Sequence, residues 1–479
     1  MNENNITSNL TQTMTYLDSH LSIQCNFDCI ARIIRIGGRK GCYYFIDGFC
    51  KDEVTEKLLE RFQSIEEEQM PNSAELFAEE YVPYIEVTLE KKYEEITKNL
   101  LSGVLVLLID GYEQGILIDA RTYPARGIEE PEKDKALRGS KDGFVETIVM
   151  NTALIRRRIR SPYLRMEMVS IGTSSKTDVV ICYMNDRVNH EFLEEVRTKM
   201  KHIQVDALSM NQESLAECLY QGSWINPLPK FKYTQRPDTA ASEVLEGKLI
   251  ILVDNSPSVM ITPTTLFDLT QEVDDFYFPP ITGTYLRLSR FMIGVMTYLI
   301  TPTFLLLVNH PQFIPPWLSF ILVEEVTNVP ILIQFLLLEL AIDGLRLASV
   351  NTPSMLSTPL SIMAALILGE FSVNSGWFHS EVMLYMAFVA LGSYTQPSFE
   401  LGYAIKFYRI LALVFTQLFG IGGYVVSIAI LCYSFVTNGT LSNGNYLYPL
   451  IPFHGKILFK SLFRAKIKFN KQENDNQMK

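Results

Sequence analysis

SRFMIGVMTYLITPTFLLLVN (Ser289–Asn309) is a 21-residue run whose single charge, Arg290, is its second residue. About 20 mostly apolar residues are enough for a helix to cross a bilayer core. The run therefore predicts a membrane helix, despite Pro302. Outward from it the composition changes. Up to Tyr285 there are 44 acidic and 30 basic residues; from Leu286 onward there are nine and 12. Between Phe291 and Phe453 the basic residues are Arg346, Lys406 and Arg409 alone. This distribution excludes a wholly soluble protein, a disordered chain and a small disulfide scaffold. It predicts an α/β soluble region of two tandem subdomains followed by an all-α polytopic membrane domain.

Further apolar segments follow the first. Val329–Ile342 carries Glu339. Pro359–Phe371 and Phe378–Gly392 are flanked by Glu370 and Glu381. Phe407–Val436 is too long for one untilted span and is interrupted by Gly420-Ile421-Gly422-Gly423, so it reads as one long helix or as two short ones with a break. Pro315–Val323 is too short to cross. Basic residues favour the cytoplasmic side. Arg287 and Arg290, Arg346, Lys406 and Arg409, and the tail from Lys456 to Lys479 all face it if the crossings are even in number. Both termini are then cytoplasmic, with four or six crossings. The first twenty residues have neither the positive cluster nor the apolar core of a secretory signal.

The expected boundaries are an amino-terminal segment (1–24), a first α/β subdomain (25–123), a charged linker (124–142), a second α/β subdomain (143–285), the helical membrane domain (286–455) and a basic tail (456–479). In the first subdomain Cys42–Cys50 reads as a strand, and Gly103–Asp110 with Gln114–Thr122 as a hairpin. Asp52–Gln69 and Ser73–Tyr81 read as helices between them. In the second, helices are expected at Gly143–Ile159, His190–His202 and Asn211–Tyr220. Strands are expected at Arg165–Ile171, Thr177–Met184, Leu249–Val253 and Ser258–Thr262. No internal repeat of short period is evident.

Glu339, Asp343 and Arg346 stand at i, i+4 and i+7, which puts them on one helix face. Ionisable groups at membrane depth are costly and usually face protein or water. The trio is therefore a candidate ion path, or else a structural ion pair at the membrane surface. Glu381 and Glu370 read as interfacial, and Glu400 as a loop contact. Two similar polar breaks, Asn351-Thr352-Pro353-Ser354 and Thr395-Gln396-Pro397-Ser398, read first as loop caps and second as a site of unwound backbone. Arg156, Arg157, Arg158 and Arg160 form a basic run in an acidic region. They read as a solvated face or as a candidate subunit interface. Asp110 and Asp254 each end an apolar strand, as turn residues.

No catalytic constellation is present. The six histidines make no His-Glu-x-x-His pattern, and there is neither a phosphate loop nor a Gly-x-Ser-x-Gly elbow. The expectation is no enzyme, no metal and no cofactor. Seven thinly spread cysteines suit reduced thiols. The acidic soluble region argues against nucleic acid.

LRGSKDGFVETIVMNTALIRRRIRSP (Leu137–Pro162) and YTQRPDTAASEVLEGKLIILVDNSPSVMITPTTLF (Tyr233–Phe267) resemble the A subunits of the GerA family of bacterial spore germination proteins. The resemblance runs from about Cys42 to Arg464. SKTDVVICYM (Ser175–Met184), RLASVNTPS (Arg346–Ser354), TQPSFELG (Thr395–Gly402) and YPLIPFHGK (Tyr448–Lys456) are similar to the branch encoded with the dipicolinate-channel genes. They are less similar to the nutrient-receptor branch. What the resemblance implies is a spore inner-membrane protein that promotes germination. It also implies a ring-shaped homo-oligomer that conducts ions, a small membrane partner subunit and other germination proteins as partners. The alternatives are a nutrient-receptor A subunit, gated by ligand on a companion, and a secondary transporter. The transporter needs no soluble region of this size, and no inverted repeat is visible.

Overall fold

The computed structural model describes residues 5–50, 52–122, 139–220, 226–321, 327–351, 370–441 and 444–464. Most of the expected linker and the tail beyond Arg464 lie outside these. The chain forms two compact units, Met1–Gln221 with Phe231–Pro263, and Gly222–Lys230 with Thr264–Lys479.

The first unit contains the same arrangement twice. Its first half runs α1 (Leu10–Leu21), β1 (Cys29–Ile36), β2 (Arg39–Ile46), α2 (Asp52–Gln63), α3 (Ala74–Tyr81), β3 (Val87–Glu90), α4 (Tyr93–Leu101), β4 (Leu105–Ile109) and β5 (Gly115–Ile118). Its second half runs α5 (Ile148–Arg158), β6 (Leu164–Ile171), β7 (Thr177–Met184), α6 (His190–Lys201), α7 (Gln212–Leu219), β8 (Lys232–Thr234), α8 (Pro237–Leu245), β9 (Leu249–Val253) and β10 (Val259–Thr262). The sheet orders are β1-β2-β4-β5-β3 and β6-β7-β9-β10-β8, so the two topologies coincide. Every pairing is antiparallel.

Alternation along the strands explains the layers. In β4, Val106 and Leu108 enter one core with Leu10, Leu17, Leu21, Ile96 and Leu100 from α1 and α4. Leu105, Leu107 and Ile109 enter the other, with Leu58, Phe62 and Phe77 from α2 and α3. A strand buried on both faces reads as a continuous apolar run, as GVLVLLID does. In the second half, Ile250 and Leu252 of β9 pack with Ile148, Leu154 and Ile155 of α5 and Ala240, Ala241 and Val244 of α8.

The halves agree in detail. Gly103 and Gly247 follow α4 and α8 with φ of 98° and 95°. Each closes its helix by a paired hydrogen-bond motif: Gly103 N to Leu100 O with Val104 N to Asn99 O, and Gly247 N to Val244 O with Lys248 N to Glu243 O. Asp110, just past β4, accepts the Leu10 N–H at 3.0 Å and so caps α1. Asp254, just past β9, accepts the Ile148 N–H at 3.2 Å and so caps α5. The turn reading of these aspartates is thus refined: each caps the first helix of its own half. The matching segments GVLVLLID and GKLIILVD share Gly103/Gly247, Leu105/Leu249, Leu108/Leu252 and Asp110/Asp254, a likeness too short to be read as a repeat without the shared topology.

Several sequence boundaries shift: the strand expected at Cys42–Cys50 runs Arg39–Ile46, and the helix expected at Asp52–Gln69 ends at Gln63. The helix expected from Gly143 begins at Ile148, because the Asn151 side chain closes the preceding turn by bonding both the N–H and the C=O of Val145. The amino-terminal segment is not separate: α1 packs on the first sheet.

Glu243 of α8 lies between Lys232 and Lys248, each 2.7 Å away. Burial opposes its ionisation, but the two ammonium groups outweigh this and hold its carboxyl down to about 2. A depressed carboxyl stabilises the fold above the ordinary carboxylate range and loses that contribution as the pH falls towards 2. Glu243→Gln is therefore expected to melt below the parent at pH 7. The difference should shrink between about pH 4.5 and pH 2. A difference independent of pH would refute the assignment.

The second unit is helical, with α9 (Leu266–Thr270), α10 (Asp274–Tyr277), α11 (Pro280–Asn309), α12 (Ile331–Asn351), α13 (Glu370–Asn374), α14 (Ser380–Tyr394), α15 (Phe399–Thr437) and α16 (Gly455–Leu462). Among the described residues two helices, α11 and α15, are long and apolar enough to cross a membrane. The 21 residues of α12 are interrupted by Glu339, Asp343 and Arg346.

The long α15 is a hairpin. Gly420 has φ 56° and ψ −131°, outside helical space. Phe435 packs against the cluster holding Leu401 and Ala404. In a straight helix Leu401 and Phe435 would stand roughly 50 Å apart. The arms are residues 399–419 and 421–437. Both touch α11: Gln417 bonds Asn309 at 3.2 Å and Tyr424 bonds Thr303 at 2.8 Å. Of the two readings left open for this segment, the structure has the broken one.

α12 and α14 run in the same direction. At one end the His379 N–H reaches the Gln334 side-chain oxygen at 2.9 Å, and at the other Arg346 lies on Tyr394.

Candidate functional site: a charge cluster among the helices

Glu339 is 3% exposed, on the face of α12 turned towards α15. Arg409 grips it, with Nε at 2.7 Å and Nη2 at 2.6 Å from Oε1. Arg409 also donates to the Thr297 carbonyl of α11 at 3.1 Å, so one guanidinium joins three helices. Lys406, one turn earlier, stands 3.4 Å from Glu339 Oε2, donates to the Glu339 carbonyl at 3.1 Å and pairs with Asp343. Two carboxylates and two cations therefore neutralise one another. Helical spacing explains the fit: Glu339 and Asp343 are four residues apart, Lys406 and Arg409 three.

The cation expected beside the acids was Arg346. The structure places Lys406 and Arg409 there instead. Arg346 turns into aromatic rings, with its Cζ 4.9 Å from the Tyr394 centroid, 5.2 Å from Tyr403 and 6.0 Å from Phe399. A guanidinium over several ring faces is held by cation–π attraction. Glu339, Asp343, Arg346, Ser393, Tyr403, Lys406 and Arg409 line one small concavity. Sequence reasoning assigned Lys406 and Arg409 to membrane orientation alone. Their spacing on one face of an apolar segment was the available signal.

The basic run divides. Arg156 is 1% exposed and forms a two-pronged bond with Asp28, Nε to Oδ2 at 2.8 Å and Nη2 to Oδ1 at 3.0 Å. It joins the two halves of the first unit and has no surface to offer a neighbour, which removes it from the interface expectation. Arg158 pairs with Asp142 at 2.6 Å. Arg157 and Arg160 are exposed.

Other expected residues hold structure. Ser398 caps α15 by accepting the Leu401 N–H at 3.2 Å, and Gln396 is buried against the Arg290 carbonyl. This polar break is a helix cap. The similar one begins at Asn351 and continues outside the described residues. The Glu370 side chain also lies outside them. Glu381 is half-buried near Ser380, and Glu400 is exposed. In the Arg236-Pro237-Asp238 motif, Pro237 opens α8 while Arg236 is fully buried and bonds Asp238 and the Ser140 carbonyl. No group of three or more metal-ligating side chains exists among the described residues.

The chain has known relatives. Residues 15–476 match the Bacillus/Clostridium GerA spore germination protein family, and the chain belongs to that family. Within it, the chain is 37% identical over 451 residues to stage V sporulation protein AF of Bacillus subtilis (strain 168), covering 94% of this chain and 91% of that protein. It is 26% identical over 452 residues to spore germination protein KA of the same organism, covering 91% and 81%. The N-terminal domain of the A subunit of the Bacillus megaterium spore germinant receptor GerK3 is 25% identical, with a TM-score of 0.42, over 54% of this chain and 96% of that one. The family resemblance read from the motifs, whose dipicolinate-channel branch is that of stage V sporulation protein AF, agrees with the family match and with the 37% identity to that protein.

Proposed function

We propose that this chain is a spore inner-membrane protein that promotes germination as an ion-conducting subunit of a homo-oligomer. The observation that carries the reading is the charge quartet of Glu339, Asp343, Lys406 and Arg409, with Glu339 and Arg409 buried and Asp343 and Lys406 half-buried, in a largely apolar helical unit. An isolated charge at bilayer depth costs about 2.5–3.5 kcal/mol on insertion scales. Four such groups on facing helices suit a path on which Lys406 and Arg409 act as tethered counter-ions and mobile cations replace them. Rings of acidic side chains favour cations. Arg157 and Arg160, exposed on a basic patch of an acidic unit, are the proposed subunit contacts. A companion small membrane subunit and other germination proteins belong to the same reading. The reading is tested by reconstituting the protein in liposomes: cation efflux above that of empty liposomes supports it, and none rejects it.

The second reading is a nutrient-receptor A subunit. It is favoured by the similarity to spore germination proteins KA and GerLA. Gene neighbourhood separates the two, dipicolinate-channel genes favouring the first.

Six crossings with both termini cytoplasmic are the proposed topology. The α15 hairpin supplies two arms of spanning length. The common direction of α12 and α14 supports six crossings over four. Cysteine labelling of intact membranes is expected to find Ser73 and Asn474 on the same, cytoplasmic side. External labelling at Asn474 alone would mean an odd number of crossings.

A further inference from the structure

At the foot of α11 one buried carboxylate is shared by two guanidinium groups. Asp275 is fully buried and takes Arg287 Nε at 3.3 Å and Arg290 through two bonds of 3.1 Å. Arg290 is completed by Glu272 at 2.8 Å and the Thr270 carbonyl at 2.9 Å. Arg287 also donates through Nη1 to the Ser461 carbonyl at 3.2 Å, and its Cζ lies 4.7 Å above the Phe276 ring. Its Nη2 is buried with no hydrogen-bond partner. The same is true of Nη1 of Arg464, whose backbone N–H is fixed on Thr284 Oγ1 at 3.1 Å. The two side chains meet one turn of α11: a Cβ on Gly283 would lie 3.1 Å from Arg464 Cδ, and Arg287 follows four residues later. Buried donors are normally satisfied, and a guanidinium offers five. Two unfilled ones, on guanidinium groups near enough for each charge to act on the other, with Asp275 already shared between Arg287 and Arg290, suit an anion.

The surroundings say which kind. Beside the cations α16 carries Lys456 and Lys460 together with exposed Ile457 and Phe459; Phe463 just after it is exposed, and Phe453 before it is 72% exposed. On α11 itself Ile281 and Tyr285 are exposed. Basic residues among exposed apolar ones are the composition of a helix lying in a headgroup layer. Basic pockets on the cytoplasmic side bind anionic headgroups.

We propose that Arg287 and Arg464 hold the phosphate of an anionic phospholipid, with α16 seated in the headgroup layer beside it. This rests on the membrane reading above, but carbonate extraction of membranes tests that reading separately and its result does not depend on the lipid site.

The test uses the full-length protein in detergent, with lipid retention read by native mass spectrometry. The parent is expected to retain phosphatidylglycerol in preference to phosphatidylcholine. Arg464→Gln, which removes no described ion pair, should weaken phosphatidylglycerol binding about tenfold, the loss of one charge-assisted contact. Arg287→Gln should do the same, and Lys199→Gln in the first unit should not. Equal retention of the two lipids by the parent, or parental binding in both arginine variants, overturns the proposal. So does displacement of the lipid by millimolar inorganic phosphate, which would make this a site for the free anion.

Discussion

Replacing Glu339 by leucine is expected to destabilise the helical unit by about 3–5 kcal/mol, because Arg409 would stay buried without its anion. Arg409 is 3% exposed, spends its Nε and Nη2 on Glu339, and cannot shed its charge by deprotonation. The expected readout is a loss of protein from membranes and a lower melting temperature in detergent. Glu339→Leu/Arg409→Leu should recover most of the loss, since an apolar pair of similar volume can replace a buried ion pair at little cost. A single variant as stable as the parent would show that the pair carries no structural weight.

Asp28→Ala is expected to cost a similar amount, about 3–5 kcal/mol, in the first unit. It strands Arg156, whose side chain and that of Asp28 are 1% and 2% exposed. The pair ties the start of the first sheet to the first helix of the second half. The strands beside it meet there as well, Phe27 N–H to Met166 O at 3.2 Å and Met166 N–H to the Asn26 side-chain oxygen at 2.8 Å. Loss of cooperativity between the halves is therefore expected, seen as a second transition in thermal unfolding. One unchanged transition would contradict the clasp. Arg157→Glu, at the very next residue of α5 but exposed, should leave that transition where it is.

Hydropathy and alternation made much of the architecture legible. Ser289–Asn309, GVLVLLID and GKLIILVD each have a periodicity that a helix or a doubly buried strand imposes. The Gly420-Ile421-Gly422-Gly423 break was visible, because a non-helical φ of 56° is one that glycine tolerates. Long-range partners were not visible. Glu339 and Arg409 are 70 residues apart, and Asp28 and Arg156 are 128 apart. No local rule ranks Arg409 above Arg346, which shares a helix with Glu339; burial between packed helices decides it. The strand β1 was missed because its pattern is broken: Ile33 is exposed while Ile34 and Ile36 are buried. The matching caps Asp110 and Asp254 were legible as strand ends, but the helices they cap begin 100 and 106 residues earlier.

The central claim is that the carboxylates of α12 serve an ion path as well as a fold. Cation efflux from liposomes containing equal amounts of the parent or of Glu339→Gln/Arg409→Gln tests it most directly. The double variant keeps the site neutral and similar in volume, so folding and assembly are preserved while the acidic group is gone. The account predicts that efflux falls towards that of empty liposomes at unchanged oligomer content. Parental efflux from the double variant would contradict it and leave Glu339 and Arg409 as a structural clasp.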